Sequence, residues 1–321
     1  MLTVLFSTRD GAAHLRDVLN AFTRLEAPSG GWQLLIADNC SVDGSREIIE
    51  SFRDRLPLRC FAETRPGKNV ALNAGLALVD GDLVVLTDDD VFPRSDWLVQ
   101  LRAAADAHEQ FDVFGGAVLP RWEAPPPPWL LRRVPAGPTY TLTDPSLTDG
   151  PTGAHNIFGP NMAIRSSVFA QGTRFETSIG PSGPNYAMGS ETELVRRLLR
   201  QGRQAWYVRE AVVEHFIRAA QIKQKWVLRR AQRFGRGQYR LSLATESAPQ
   251  RTWRGIPRYL YRKLLAEIGR TLLAAASLDG DRLFRARWSL NYIRGQMVEA
   301  GIIHRDGRGA AAAATSGGGL S

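Results

Sequence analysis

Three consecutive aspartates, Asp88-Asp89-Asp90, follow directly on the apolar run Leu83-Val84-Val85-Leu86-Thr87. Carboxylates crowded in this way repel one another unless something positive sits among them. They are hard oxygen donors suited to Mg²⁺ or Mn²⁺, and Mg²⁺ is usually held by one or two carboxylates together with substrate phosphates. A solvated acidic turn is the plain alternative for such a triplet taken alone. The rest of the chain decides against it.

The apolar run is short, rich in valine and leucine and introduced by Gly81-Asp82, which is the pattern of a buried strand. Strand-like stretches also stand at 2–7, 32–37 and 58–62, and helical spacing at 14–25, 46–55 and 69–78. Asp43 or Ser45 is placed to cap the second of these helices. The alternation predicts an α/β fold, a mostly parallel sheet flanked by helices. Ligands of such sheets bind outside the carboxyl ends of the strands. Thr8-Arg9, Asp38-Asn39 and the aspartate triplet all fall at those ends, so three polar clusters converge on one edge.

The 321 residues suffice for a sizeable core, and a hydrophobic fraction of 44% is ordinary for a globular chain. Cys40 and Cys60 lie far apart without metal-ligand spacing, which suggests a reducing compartment. Residues 1–6 lack a basic leader and read as a first strand, and no apolar stretch is long enough to cross a bilayer. The expectation is a cytoplasmic protein with scope for peripheral contact with the inner face of a membrane. A net charge of +9 suits anionic partners, and arginine is dense between Arg196 and Arg294. Zinc-finger spacing, an RNP-like aromatic signature and a helix-turn-helix pattern are all missing, so nucleic acid is not expected as a partner.

Six segments in order carry a resemblance. They are Ser7-Thr8-Arg9, the run from Asp38 to Ser45, the run from Gly67 to Gly75, Asp88-Asp89-Asp90, Gly159-Pro160-Asn161-Met162-Ala163, and Glu191-Thr192-Glu193-Leu194. Together they resemble the family-2 glycosyltransferases of the Rossmann-like GT-A fold across roughly the first two hundred residues. The resemblance implies a nucleoside-diphosphate sugar donor, a divalent metal (Mn²⁺ or Mg²⁺) and a single displacement that inverts the anomeric centre.

It also implies roles. Asp38 would accept from a uracil-like base edge, with Thr8, Arg9 and Asn39 beside it, which favours a UDP-sugar. Lys68, Asn69 and Asn73 would face the diphosphate or ribose. Asp88 would face the ribose or sugar, Asp89 would support it, and Asp90 would ligate the metal with His215 completing the shell. The family's general base is usually an aspartate in a Glu-Asp pair just before a helix. Here Ser190 replaces the first acid and Glu191 the aspartate, so Glu191 takes the base position. Glu193 is the alternative, although it also suits a helix N-terminal acid.

The domains expected are a nucleotide-sugar half over 1–118, an acceptor half over 119–220, a basic helical extension over 221–304 and a disordered tail over 305–321. The acceptor, a glycan or lipid-linked molecule, would meet Trp129, Asn161 and Glu193. Proline density around 125–145 is expected to exclude regular helix there. His155 is expected in core or surface. Trp226, Arg229, Arg230 and Arg233, and Tyr259, Arg262 and Lys263, lie at helical spacing and suit either an outer charged face or an anionic membrane surface. Two rival readings are a sugar nucleotidyltransferase, for which Asp10-Gly11-Ala12-Ala13 is a poor signature, and an inactive donor-binding scaffold, which the altered Ser190-Glu191 pair favours.

Overall fold

The computed structural model describes residues 1–183, 186–243 and 251–316. The strands are β1 (Leu2–Thr8), β2 (Trp32–Asp38), β3 (Leu58–Ala62), β4 (Leu83–Leu86), β5 (Val91–Pro93), β6 (Val113–Trp122), β7 (Gly150–Pro151), β8 (Met162–Arg165), β9 (Ala205–Ile217), β10 (Thr252–Trp253) and β11 (Ile256–Pro257). The helices are α1 (Ala12–Phe22), α2 (Ser45–Glu50), α3 (Lys68–Gly75), α4 (Trp97–Ala107), α5 (Pro128–Arg133), α6 (Ala136–Tyr140), α7 (Ser166–Ala170), α8 (Ser190–Arg200), α9 (Gln224–Leu243), α10 (Arg258–Ala276) and α11 (Gly280–Ser316).

The chain divides into two compact units. The first comprises Met1–Pro125, Pro135–Pro184 and Ser190–Ala219, so the two halves expected at 1–118 and 119–220 form one body. Its sheet runs β3-β2-β1-β4-β8-β6-β9-β5, with β7 also on β9. Strands β3, β2, β1 and β4 are parallel, and the buried runs of β1 and β4 show that both faces are covered. Helix α1 packs through Leu15, Val18, Leu19 and Phe22, the three- and four-residue recurrence of one helix face.

The sheet is mixed rather than mostly parallel. β8 enters between β4 and β6 antiparallel to both, and β5 and β7 run antiparallel to β9. The proline-rich segment also differs from expectation, since it contains α5 and α6. Pro128 opens α5 at a first-turn position, where a proline needs no amide hydrogen, and Pro138 sits within the single turn of α6.

The second unit comprises Pro126–Val134, Asn185–Gly189 and Ala220–Ser321. Helices α9, α10 and α11 pack together around Tyr239, Leu260 and Ala300. Trp129 of α5 stacks obliquely on Phe284 of α11 at 5.4 Å. The fully buried Glu299 of α11 accepts from Arg236, at 2.6 Å, and from Arg240, both on α9. Residues 305–316, expected to be a disordered tail, continue α11. The alanine run at 310–314 has the highest intrinsic helix propensity of any residue type. The rest of that expected tail, 317–321, lies outside the described residues. No helix among the described residues is long and apolar enough to cross a membrane.

Candidate functional site

Parallel pairing of β1 with β2 sets Thr8 opposite Asp38, and pairing of β1 with β4 brings the aspartate triplet to the same carboxyl edge. Two hydrogen-bonded helix starts brace this edge. Asp43 accepts from the backbone N–H groups of Ala12 and Ser45, at 2.9 and 3.1 Å, while Ser45 Oγ accepts from Gly11 N–H at 2.9 Å. Asp43 thus serves α1 and α2 together, although the residue immediately before α2 is Gly44.

Each aspartate of the triplet has a different partner. Asp88 Oδ1 lies 2.6 Å from Lys68 Nζ, and the same ammonium donates at 2.8 Å to Glu191 Oε1. Asp89 Oδ2 accepts from the Thr8 hydroxyl at 2.5 Å. A Cβ at Gly11 would stand 2.6 Å from that hydroxyl oxygen and 2.9 Å from Asp89 Oδ2, so the approach of α1 to this pair needs a glycine. Asp90 faces His215 Nε2 at 3.6 Å and the Arg218 guanidinium at 3.8 Å.

Antiparallel pairing of β5 with β9 puts Val91 opposite His215, which is how a histidine so distant in sequence reaches the triplet. His215 Nδ1 donates to the Tyr140 carbonyl at 2.7 Å, leaving Nε2 turned to Asp90. Arg218 also reaches His14 Nε2 at 3.2 Å, and the His14 ring stacks on Phe216.

Electrostatics separate the carboxyls. Burial, reinforced by the charge of Asp90, pushes Asp89 up to about 7. Burial also raises Asp88, against the pull of Lys68. For Asp90 burial acts upward, but His215, its hydrogen bond and Arg218 outweigh it and hold the carboxyl down at about 2. Glu191 behaves alike, with burial overcome by Lys68 and by hydrogen bonds from Lys68, the backbone and Ser190, to about 2. Burial depresses Lys68 and His215, yet the neighbouring carboxylates raise both. Burial and Arg218 lower His14.

Glu191 starts α8 and is fixed on both oxygens, Oε1 by Lys68 and Oε2 by the Ser190 hydroxyl at 2.9 Å. A Cβ at Gly159 would lie 2.6 Å from Glu191 Cγ, so the glycine of Gly159-Pro160-Asn161 makes room for this side chain. Glu193 points elsewhere. Arg197 grips both of its oxygens, at 2.9 and 3.1 Å, and also donates to the Arg174 carbonyl.

The remaining sequence candidates divide by what their side chains touch. Asp38 is buried, accepts from Ser41 N–H at 3.1 Å, and lies 3.8 Å from Arg46. Arg9 is exposed and 3.9 Å from Asp10. Three asparagines hold backbone: Asn39 bonds the Glu63 and Arg65 carbonyls and Gly67 N–H, Asn69 the Glu176 and Ile179 carbonyls, and Asn73 both backbone groups of Phe175. Asn161 is fully buried, donating to the Ala117 and Ala211 carbonyls and accepting from Trp97 Nε1. Trp129 belongs to the helical unit, and His155 is exposed in the middle of a short 3₁₀ turn. Arg218, His14 and Gly159 were not singled out, and Ser190 was read only as the replacement of an acid. Gly159 and Ser190 sat in recognised motifs; Arg218 reaches Asp90, and His14 reaches Arg218, by long-range approach that leaves no local pattern.

Among the described residues no three His, Cys, Asp or Glu side chains form a ready-made metal cage. Asp90 and His215 nevertheless face one another as an oxygen and a nitrogen donor, the mixture Mn²⁺ accepts. Two protein donors fit a cation whose shell is completed by phosphate oxygens.

The chain is 25% identical over 202 residues to a glucosyl-dolichyl phosphate glucuronosyltransferase of Haloferax volcanii, covering 59% of this chain and 62% of the relative. It is 26% identical over 110 residues to the Staphylococcus aureus poly(ribitol-phosphate) β-N-acetylglucosaminyltransferase TarS, covering 33% of this chain and 19% of that one. The chain therefore spans less than two thirds of the length of these relatives. Among solved structures it resembles the mannosyltransferase PcManGT of Pyrobaculum calidifontis, in complex with GDP-Man and Mn²⁺, with a TM-score of 0.62 at 18% identity over 93% of this chain and 86% of that one. Its TM-score against S. aureus TarS 1–349 with UDP-GlcNAc is 0.51 at 12% identity, over 95% and 92% of the two chains. The fold is the GT-A arrangement expected from the sequence. The model of the family described as "Glycosyl transferase family 2" matches residues 3–172, more than half of the chain, and the protein belongs to that family.

Proposed function

We propose that the protein transfers a sugar from a nucleoside-diphosphate donor to a hydroxyl of a glycan or lipid-linked acceptor, with inversion at the anomeric carbon. The observation that carries this reading is the convergence of the Asp90–His215 pair and the Lys68–Glu191 pair on one strand edge. A divalent cation held by Asp90 and His215 supplies charge neutralisation of the departing diphosphate.

The chain's own residues account for the rest. Asp38, buried at the end of β2, accepts from the base edge, which favours uracil. Asn39, Asn69 and Asn73 fix the backbone around the donor rather than touching it. Asp88 faces the ribose or sugar. Lys68 stands between Asp88 and Glu191 and turns to the diphosphate when the donor binds. Glu191 then loses the cation that holds it near 2, while its burial, which acts upward, remains. The carboxylate becomes a competent acceptor for the proton of the attacking hydroxyl. The new glycosidic bond forms as the bond to the diphosphate breaks, and the hydroxyl proton ends on Glu191. The engagement of Glu193 by Arg197 supports Glu191 over Glu193, and neither Asn161 nor Trp129 is retained on the acceptor side.

A thermal-shift series with UDP, GDP, TDP and CDP, each with and without Mn²⁺, tests the donor site, because a ligand bound only to the folded state raises its stability. We expect one diphosphate to raise Tm in a metal-dependent way and Asp90→Ala to abolish that shift. A chain that responds to no diphosphate overturns the reading.

A further inference from the structure

Helix α10 carries its apolar residues on two faces. Leu260 and Ala274 are buried against the helical unit. On the opposite side Leu265, Leu272 and Leu273 are 68%, 67% and 74% exposed, with Ile268 beside them. Leu265, Ile268 and Leu272 recur at three- and four-residue spacing, so they form a stripe rather than scattered surface leucines. The exposed Trp253 packs on Tyr261 at 5.0 Å near the helix start, and Leu278, 93% exposed, follows the helix end.

Charge says what covers the stripe. Residues 221–321 hold 19 of the 41 Lys and Arg residues but only 6 of the 32 Asp and Glu, a net charge of +13, against −4 for residues 1–220. A second copy docking through this face would bring like charges together. Arg258 and Arg262 lie beside the stripe on α10 and Lys263 and Arg270 on the helix's other side, while Glu267 is the one acid and is already held by Arg270. Beside it, a groove of about 720 Å³ between α9, α10 and α11 is lined by Lys225, Arg229, Arg287 and Arg294 together with three leucines, Leu228, Leu283 and Leu290, and by no acidic residue. Among the described residues none of these four cations has an acidic partner. Thr271 of α10 lines the groove, and Leu272, next in the chain, belongs to the stripe.

We propose that the helical unit docks on an anionic bilayer surface. The α10 stripe enters the headgroup–acyl boundary, Trp253 and Tyr261 sit at the water–lipid interface, and the groove cations take lipid phosphates. An apolar stripe flanked by cations is the arrangement for lying in an interface, and no step of sugar transfer is needed for it.

Co-sedimentation of the full chain with vesicles tests this, using phosphatidylcholine alone and phosphatidylcholine mixed with phosphatidylglycerol. We expect binding to the anionic vesicles that is at least ~10-fold weaker on pure phosphatidylcholine, and a loss of at least ~10-fold in each of Leu265→Asp/Leu272→Asp and Arg287→Glu/Arg294→Glu. These side chains are exposed, and unchanged circular dichroism melts and nucleotide-induced Tm shifts confirm that the variants are folded. If an aspartate pair fails that control, Leu265→Ser/Leu272→Ser replaces it. Binding that ignores both double variants, or no binding to either vesicle, overturns the proposal. So does a wild-type dimer that Leu265→Asp/Leu272→Asp dissociates, which would assign the stripe to self-association. Failure of vesicle binding leaves the donor-site reading standing, because that rests on the nucleotide shifts.

Discussion

Lys68 is shared by two carboxylates, and in the proposed reaction this sharing couples donor binding to the release of Glu191. Its ammonium lies 2.6 Å from Asp88 and 2.8 Å from Glu191, while Ser190 fixes the second oxygen of Glu191. The serine that stands where the family pattern has an acid is a hydrogen-bond donor to Glu191, the base of the proposed reaction. A glutamate held at about 2 is fully ionised at neutral pH and ready to accept a proton once the lysine is withdrawn. Glu191→Gln keeps the volume and the Ser190 contact but removes the basic oxygen. We expect it to lower kcat by ~10²- to 10⁴-fold, the usual contribution of general-base catalysis, while the Tm shift given by the nucleoside diphosphate persists. A variant with undiminished turnover would remove Glu191 from the base position. One that also loses the nucleotide shift would mark a structural role instead.

Asn161 shows what an element needs from a single side chain. The register of β6 on β9 shifts between Gly116 and Ala117, and the Asn161 amide bonds the Ala117 and Ala211 carbonyls at 2.9 and 2.7 Å. Its oxygen accepts from the buried Trp97 indole at 2.8 Å. Asn161→Ala strands three buried polar groups, and each unsatisfied group costs ~1–3 kcal/mol. We expect a loss of ~3–5 kcal/mol in urea unfolding at an unchanged m value, because the surface exposed on unfolding is the same. A change below 1 kcal/mol would mean water or a shifted strand satisfies those groups. The sequence showed that a conspicuous asparagine stood there but suggested an acceptor contact, because its three partners are far apart along the chain. The same limit explains β8. Its residues read as a motif, while its antiparallel insertion between β4 and β6 depends on pairings that no local period encodes. By contrast β1 to β4 and the polar clusters at their ends were legible, since buried parallel strands leave apolar runs stopped by polar residues. Proline misled in the segment around 125–145, where its placement at helix starts mattered more than its frequency.

Stability as a function of pH is a property of the whole molecule, and here the shifted groups pull in two directions. Glu63, Asp90 and Glu191 are held at about 2, below their ordinary 4.5, 3.8 and 4.5. A depressed carboxyl contributes stability that is complete above its unfolded value and is lost as pH falls toward its folded one. These three therefore weaken the fold between about pH 5 and 2. Asp89 and His215 are raised, Asp89 from 3.8 to about 7 and His215 above 6.5. A raised group stabilises below its unfolded value and loses that contribution as pH climbs through its folded value. Asp89 thus opposes folding progressively between about pH 4 and 7, and His215 adds to the decline above about 6.5. The metal-free, donor-free protein should therefore melt highest near pH 4–5 and lose stability toward pH 8. Asp89→Asn, which keeps a partner for Thr8 but cannot ionise, should flatten the alkaline limb and leave the acid limb in place. Differential scanning calorimetry of both proteins at pH 3, 5 and 8 in EDTA decides the matter, and a wild-type Tm that rises from pH 5 to 8 would show that Asp89 is ionised throughout in the folded chain.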